Sequence, residues 1–304
     1  MNLKKTCERI KSLEIQGATN VAVEAVKALA SEIISSKAKN VDNLFKEIYS
    51  AKEKLFATRP TEPMMRNFLN FVIFNLENGK YGEIKAIKDA AKTISDEVFK
   101  MKEDAKNQIK KIGAKIINDH KIIYTHCHSS TVTGIIKEAA KNKKIEVYNT
   151  ETRPLFQGRI TAKELAKANI PVTHFIDSAA KFALKKADIM LIGADAITPT
   201  GVYNKIGSNL FAEIAAKYDV PVYICAVSWK FDPETLFGHE EIIEIRDSKE
   251  VWDKPPKGVK IMNNAFEKVD LDLITGIISE FGVYPPNSFC GEIKKSYPWM
   301  FVRE

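Results

Sequence analysis

No apolar stretch in the 304 residues approaches the ~20 that a membrane-spanning helix needs, so no membrane partner is expected. The opening residues, MNLKKTCERIKSLEIQG, alternate charge with aliphatic side chains and lack the apolar stretch of a signal peptide, so a cytoplasmic location is expected. Cysteine is scarce: Cys7, Cys127, Cys225 and Cys290 lie far apart, with no CxxC pair. That spacing argues against the usual structural zinc sites and against a disulfide framework, and leaves each cysteine an expected free thiol. A nucleic-acid signature is also missing. The net charge of +7 comes mostly from lysines scattered among carboxylates, and no basic cluster alternates with exposed aromatics. The positive field suits an anionic substrate.

What is present divides the chain in two. From residue 1 to 118 apolar residues recur at three and four spacing, as in ATNVAVEAVKALASEII, VDNLFKEIYSAKEKLFAT and EPMMRNFLNFVIFNLENG. A lysine-rich stretch from Tyr81 to Asn118 follows, and "TRPTEP" (58–63) and "NGKYG" (78–82) punctuate the series. Residues 119–304 change pattern. Short β-branched runs (KIIYTH, IEVYNTE, IPVTHFID, IMLIGAD, VPVYICAV, EIIEI, VKIM) alternate with helical stretches. The expected fold is α/β: an N-terminal all-helical domain, then a Rossmann-like, doubly wound, mostly parallel sheet domain. No GxGxxG follows the first strand, so the dinucleotide fingerprint is absent.

In such a sheet, ligands bind beyond the carboxyl ends of the strands. KIIYTH ends in "CHSSTVTG", with Cys127 followed by Ser129, Ser130 and Thr131 where a helix should start. Backbone N–H groups and hydroxyls there suit phosphate, and a helix N-terminus or a protonated His126 or His128 would lower the thiol pKa. A plain polar turn around a half-buried cysteine is equally open, and metal is the weaker option because alternate side chains of HCH point to opposite faces. Arg153, after IEVYNTE and held by a proline, suits phosphate or carboxylate recognition, or a surface salt bridge. Asp177 reads as a helix N-cap. Asp195 ends a nearly uninterrupted apolar run, where a carboxylate needs a partner or a task. Asn204 and Lys205 precede Gly207 and Ser208 at another helix start, which reads as a phosphate cradle, and Lys230 lies beyond VPVYICAV. Taken together, these strand ends read as a sugar-phosphate or nucleotide pocket with one candidate base and one candidate acid.

The motifs "IKSLEIQGA", "TRPTEP", "THCHS", "TETRP…QG", "GAD" followed by "NKIGS", "KFDPET" and "GVYPP" resemble the translation initiation factor 2B α/β/δ-subunit superfamily over nearly the whole chain. That superfamily includes archaeal ribose-1,5-bisphosphate isomerases, whose motifs are the most similar, and methylthioribose-1-phosphate isomerases. The resemblance implies Cys127 and Asp195 as catalytic residues. It implies Gln16, Gly17, Ala18, Arg59, Ser129, Ser130, Asn204, Lys205 and Lys230 around the substrate, to which the strand-end reading adds Thr131 and Arg153. One departure stands out: the isomerases usually have Arg-Gly-Ala where this chain has Gln16-Gly17-Ala18, closer to the α subunit of the initiation factor. The glutamine removes a charge from the expected phosphate site, which implies weaker binding, a changed substrate or a sensor of sugar phosphates.

The implied reaction turns an aldose 1-phosphate into a ketose 1-phosphate, ribose 1,5-bisphosphate to ribulose 1,5-bisphosphate, in nucleotide salvage. Cys127 as thiolate would be the base at carbon 2 and Asp195 the acid at a sugar oxygen; a hydride shift using the same residues is the other route. No metal or organic cofactor is required. The resemblance further implies AMP as an activator and a homo-oligomer, dimer or hexamer, with VDLDLITGIISEFGVYPP in the dimer-forming region. The competing expectation is a non-catalytic regulatory subunit that binds initiation factor 2.

Overall fold

The computed structural model of the chain describes residues 2–15, 17–59, 62–241 and 243–301. It divides into two compact units: residues 1–104 with 229–232 and 297–304, and residues 105–228 with 233–296.

The first unit is helical. α1 (Leu3–Lys11) starts where the Asn2 side chain accepts the Lys5 N–H, and α3 (Val41–Phe56) where Asn40 accepts that of Asn43 (2.8 Å). α4 (Pro63–Asn78) opens with proline at its first position, where the missing N–H is not needed. α2 (Ala18–Ser35) packs against α1, α3 and α4. Its alanines, Ala22, Ala25 and Ala28, are fully buried and allow close approach of the neighbouring helices. Residues 229–232 are stitched to α4. The Asn67 side-chain amide donates to the carbonyls of Trp229 (2.8 Å) and Phe231 (2.7 Å), Arg66 pairs with Asp232 (2.6 Å), and Trp229 lies edge-on to Phe68 and Phe71. Lys230 therefore belongs to the helical unit, as does Arg59. The division between units falls within the long helix α5 (Ile84–Ile116).

The second unit is built on a seven-stranded sheet. Its strands are β1 (Lys121–Thr125), β2 (Ile145–Thr150), β3 (Val172–Phe175), β4 (Ile189–Ile192), β7 (Val222–Cys225), β9 (Gly276–Ser279) and β10 (Gly282–Tyr284), in the order β10-β9-β7-β4-β1-β2-β3. All neighbours are parallel except the β9–β10 hairpin. Every residue of β4 is buried, which a strand achieves only when helices or loops cover both faces of the sheet. The helices here are α6 (Ser130–Ala139), α7 (Gln157–Lys167), α8 (Ala180–Leu184), α9 (Ser208–Lys217) and α10 (Pro286–Ser296). Ile109 of the C-terminal part of α5 and Ile117 just after it join Ile123, Ile135, Val147, Leu165 and Leu191 in the core of this unit. Leaving out β10, the strand order reverses direction between β1 and β4, which makes the carboxyl ends of these two strands the topological switch point.

Two runs expected as strands are not. Among the described residues EIIEI and VKIM form no strand; a single bridge, Ile245 with Asn264, joins that region. Ile245 and Met262 are 66% and 60% exposed, so neither run has a sheet face to cover, and period-two apolarity without burial does not make a strand. Conversely, "AIT" and "GVYNK", absent from the expected strands, are β5 (Ala196–Thr198) and β6 (Gly201–Lys205). They form a three-stranded antiparallel sheet with β8 (Phe266–Val269). The Thr198 hydroxyl oxygen accepts the Gly201 N–H (3.1 Å) and closes the turn. Among the described residues no helix is long and apolar enough to cross a membrane.

Candidate active site

Cys127 sits two residues beyond β1 in the left-handed conformation, φ 64°. That conformation costs a side chain with a Cβ on the order of 1–2 kcal/mol, so it needs support from its surroundings. The support is hydrogen bonding on both sides. The Cys127 N–H donates to Thr152 Oγ1 (2.9 Å), and its carbonyl accepts from Thr161 Oγ1 (2.8 Å). Thr152 is itself left-handed (φ 64°) and is anchored by Asp177, whose two carboxylate oxygens accept the N–H groups of Thr152 (2.8 Å) and Arg153 (2.7 Å). The N-cap expected of Asp177 is thus corrected: the side chain makes no cap bond and holds the loop after β2. Thr152, Thr161 and Asp177 position the thiol. The hydroxyls are visible in "TETRP" and "RIT", but only the tertiary fold shows what they hold.

The histidines beside Cys127 do not activate it. His126 is 2% exposed, with Nε2 2.9 Å from the Ile206 carbonyl and Nδ1 2.8 Å from Thr150 Oγ1. A carbonyl only accepts, so Nε2 carries the proton and Nδ1 accepts from the threonine. Burial pushes the His126 pKa down to about 4, and burial also lowers that of His128. Both rings are neutral near pH 7, and His126 has no nitrogen left for a metal.

The thiol pKa goes the other way from the expectation. Burial pushes Cys127 up to about 11; the Lys205 charge, the His128 N–H and Arg246 pull against it, and Asp195 adds to it. The expectation of a lowered pKa is therefore corrected, because desolvation outweighs the cations.

Asp195 follows β4, on the other side of the switch point. Its N–H donates to the Tyr203 carbonyl (2.8 Å), and Ala196 pairs with Tyr203. The hairpin thus returns Asn204 and Lys205 beside Asp195. Gly193 explains the glycine of "GAD": a Cβ there would lie 2.9 Å from the Ser129 side chain, so only glycine lets the start of α6 pack against the end of β4. Ser129 caps α6 and accepts the Val132 N–H (3.4 Å); Ser130 is exposed and Thr131 partly exposed in the first turn.

Lys205 is 6% exposed, and its ammonium lies 4.8 Å from the centre of the Phe266 ring. Burial lowers its pKa, with Cys127 opposing and Arg246 adding to the shift. The cradle expected at the start of α9 is occupied from within: Glu267 on β8 accepts the Asn209 N–H (2.7 Å), and Asn204 Nδ2 donates to Ser208 Oγ (2.9 Å). A carboxylate already sits on that helix end, so the free helix start next to Cys127 is that of α6.

Arg153 is exposed and stacks on Phe156 at 5.1 Å; one of its nitrogens is 3.3 Å from the Val251 carbonyl. It lines a groove of about 510 Å³ with Pro154, Ile206, Val251 and Met262. In the helical unit, Arg59 is 8% exposed and pairs with Glu62 (3.0 Å), Gly17 caps α2 with φ 81°, and Ala18 is buried. Gln16 lies outside the described residues. Two groups were not among the expected site residues: Gln157, which stands in the "QG" of the quoted motif and whose Oε1 is buried without a hydrogen bond, and Arg246. Arg246 directly follows EIIEI, the run expected as a strand.

Comparison with known proteins identifies the family. The sequence profile of the Initiation factor 2 subunit family matches residues 14–286. The chain is 39% identical to a ribose 1,5-bisphosphate isomerase of Pyrococcus furiosus, covering 97% of this chain and 94% of that one. It is 38% identical to the same-named protein of Thermococcus kodakarensis, with coverage of 96% and 94%. A crystal structure of translation initiation factor eIF-2B from Pyrococcus horikoshii OT3 superposes with a TM-score of 0.79 at 26% identity, over 93% of this chain and 97% of that one. With a profile match across most of its length and a thiol and carboxylate flanking the switch point of its sheet, this chain belongs to the Initiation factor 2 subunit family.

Proposed function

We propose that the protein is an aldose–ketose isomerase that converts ribose 1,5-bisphosphate to ribulose 1,5-bisphosphate. The observation that carries the reading is the placement of Cys127 and Asp195 beyond the ends of β1 and β4, on either side of the switch point, in a chain 39% identical to a named isomerase of that substrate. Phosphate on carbon 1 blocks the aldehyde, so the furanose ring must open first. Asp195 protonates the ring oxygen and the bond from that oxygen to carbon 1 breaks. The Cys127 thiolate takes the proton from carbon 2, leaving an enediol phosphate. The thiol returns that proton to carbon 1 while the hydroxyl on carbon 2 gives its own to the Asp195 carboxylate, which forms the ketone and restores both groups.

The phosphate and hydroxyl contacts fall to Ser129, Ser130, Thr131, Asn204 and Lys205 in the sheet unit. Arg59, Lys230, Gly17 and Ala18, with Gln16, keep the roles implied by the family resemblance. Activation by AMP, a place in nucleotide salvage, assembly as a dimer or hexamer and a cytoplasmic location belong to the same proposal and rest on that resemblance alone.

The raised thiol pKa favours a second route through the same residues. A thiol at about 11 is ionised in roughly one molecule in 10⁴ at pH 7, and a hydride shift from carbon 2 to carbon 1 needs no thiolate. One experiment addresses both questions: incubation with ribose 1,5-bisphosphate in D₂O, with Cys127→Ser and Asp195→Asn as controls. Ribulose 1,5-bisphosphate from the wild type, with a loss of about 10²-fold or more in each variant, is expected. Deuterium at carbon 1 of the product, from exchange at the thiol before the proton is returned, establishes proton transfer and overturns the hydride shift. No product from the wild type, together with capture of initiation factor 2 in a pulldown, would replace this reading with the regulatory one.

A further inference from the structure

Arg246 belongs to none of the motifs that point to the isomerase. It lies in the irregular segment before β8, pinned by a short antiparallel pairing: its N–H donates to the Asn263 carbonyl and the Ala265 N–H to that of Glu244, both at 2.9 Å, with Ile245 bridging Asn264. Its side chain is only 11% exposed. The guanidinium carbon is 5.9 Å from the centre of the Phe266 ring, the same ring that Lys205 overlies at 4.8 Å. Its Nε is buried and, although 3.2 Å from Glu244 Oε1, makes no hydrogen bond there.

Two buried cations beside one ring repel each other, and the field of Arg246 reaches both Lys205 and Cys127. Against them stand Glu244, which pairs with Arg246, and Asp195, whose charge acts on Lys205 and Cys127. Like charges held together in a partly dry pocket are costly unless an anion joins them. A phosphate dianion supplies the missing charge and can accept from a guanidinium fork and an ammonium together.

We propose that Arg246 contacts a phosphate of the substrate and, with Lys205, clamps it beside Cys127. The identity of that substrate rests on the isomerase reading; the anion site does not. The clamp also gives a reason for the pairing of 244–246 with 263–265, which aims the guanidinium at the switch point rather than at solvent.

The test is protection of Cys127 from iodoacetamide by inorganic phosphate, read by mass spectrometry, in the wild type, Arg246→Gln and Arg246→Lys. Arg246→Gln should need roughly tenfold or more phosphate for half-protection, as loss of a charge-assisted hydrogen bond implies, and should raise KM for ribose 1,5-bisphosphate by a similar factor. Without phosphate it should also alkylate more slowly, because removing a cation disfavours the thiolate. Arg246→Lys should recover the alkylation rate but only part of the phosphate affinity, a split that a merely structural role would not produce. If Arg246→Gln fails to fold, Arg246→Lys decides alone: weaker phosphate protection supports the clamp and unchanged protection overturns it. Unchanged half-protection in folded Arg246→Gln overturns it as well. A wild type that binds phosphate through Arg246 yet makes no ribulose 1,5-bisphosphate would remove the isomerase reading and support the clamp.

Discussion

His126 uses both ring nitrogens for hydrogen bonds and packs edge-on to Phe211 at 4.8 Å, so protonating it means breaking a bond and burying a charge. Its pKa is about 4 in the fold against 6.5 for a free imidazole. A lowered pKa means that the unfolded chain binds the proton more readily between these values. The contribution is therefore fully present above pH 6.5 and is lost as pH falls towards 4, on the order of 3 kcal/mol in all. Thermal melts between pH 7 and 4 should show this loss. His126→Gln should be less stable at pH 7 but have a flatter profile, and an unchanged slope in the variant would place the acid sensitivity elsewhere. Cys127 illustrates the same competition in reverse: burial opposes its charge more strongly than Lys205 and Arg246 favour it.

At the scale of elements, the meeting of β2 with α7 leaves no room for an added side chain. A Cβ on Gly158 would lie 1.8 Å from the Thr150 carbonyl oxygen, and the Gly158 carbonyl in turn accepts from Asn149 Nδ2 (2.7 Å). No rotamer relieves a clash with backbone, so helix and strand would have to separate. The strand end that would move carries Thr150 and leads into Thr152, the partners of His126 and of the Cys127 N–H. Gly158→Ala should destabilise the sheet unit by about 3 kcal/mol or more, a drop in Tm of roughly 10 °C. Gly82→Ala, with nothing within 4 Å of the added Cβ, should leave the Tm unchanged. Equal melts for the two would contradict the packing described here.

For the molecule as a whole, the +7 charge acts through its field rather than through ion pairs. Lys27–Glu24 (2.8 Å) and Lys141–Glu138 (2.6 Å) are partly exposed surface pairs, each worth under about 1 kcal/mol. Binding of a bisphosphate is different, because it selects the folded state. Ribose 1,5-bisphosphate at about 100 times its Kd should stabilise the protein by about 2.7 kcal/mol, seen as an upward shift in Tm. Cys127→Ser should show the same shift, since the serine removes the reacting sulfur and leaves the phosphate contacts. The shift should shrink as salt is raised from low to physiological levels. A shift missing from both proteins would mean that the bisphosphate does not bind.

By itself the sequence determined the alternation of strand and helix, the all-helical first part and the grouping of Cys127, Asp195, Asn204 and Lys205 at strand ends, because periodicity and turn chemistry are local properties. It also carried the family resemblance, which the profile match over residues 14–286 bears out. The β5–β6 hairpin was not legible, since its short strands are specified by a partner, β8, some sixty residues away. Nor was the state of the thiol: the chain places two histidines beside Cys127, but only the packed fold buries His126, commits both of its nitrogens and keeps it neutral. Arg246 makes the same point from the opposite side. Nothing around it in the chain marks it as a site residue, and it becomes one because the fold buries it against Phe266 within the field of Lys205 and Cys127, where charge is governed by desolvation and distance rather than by neighbours in sequence.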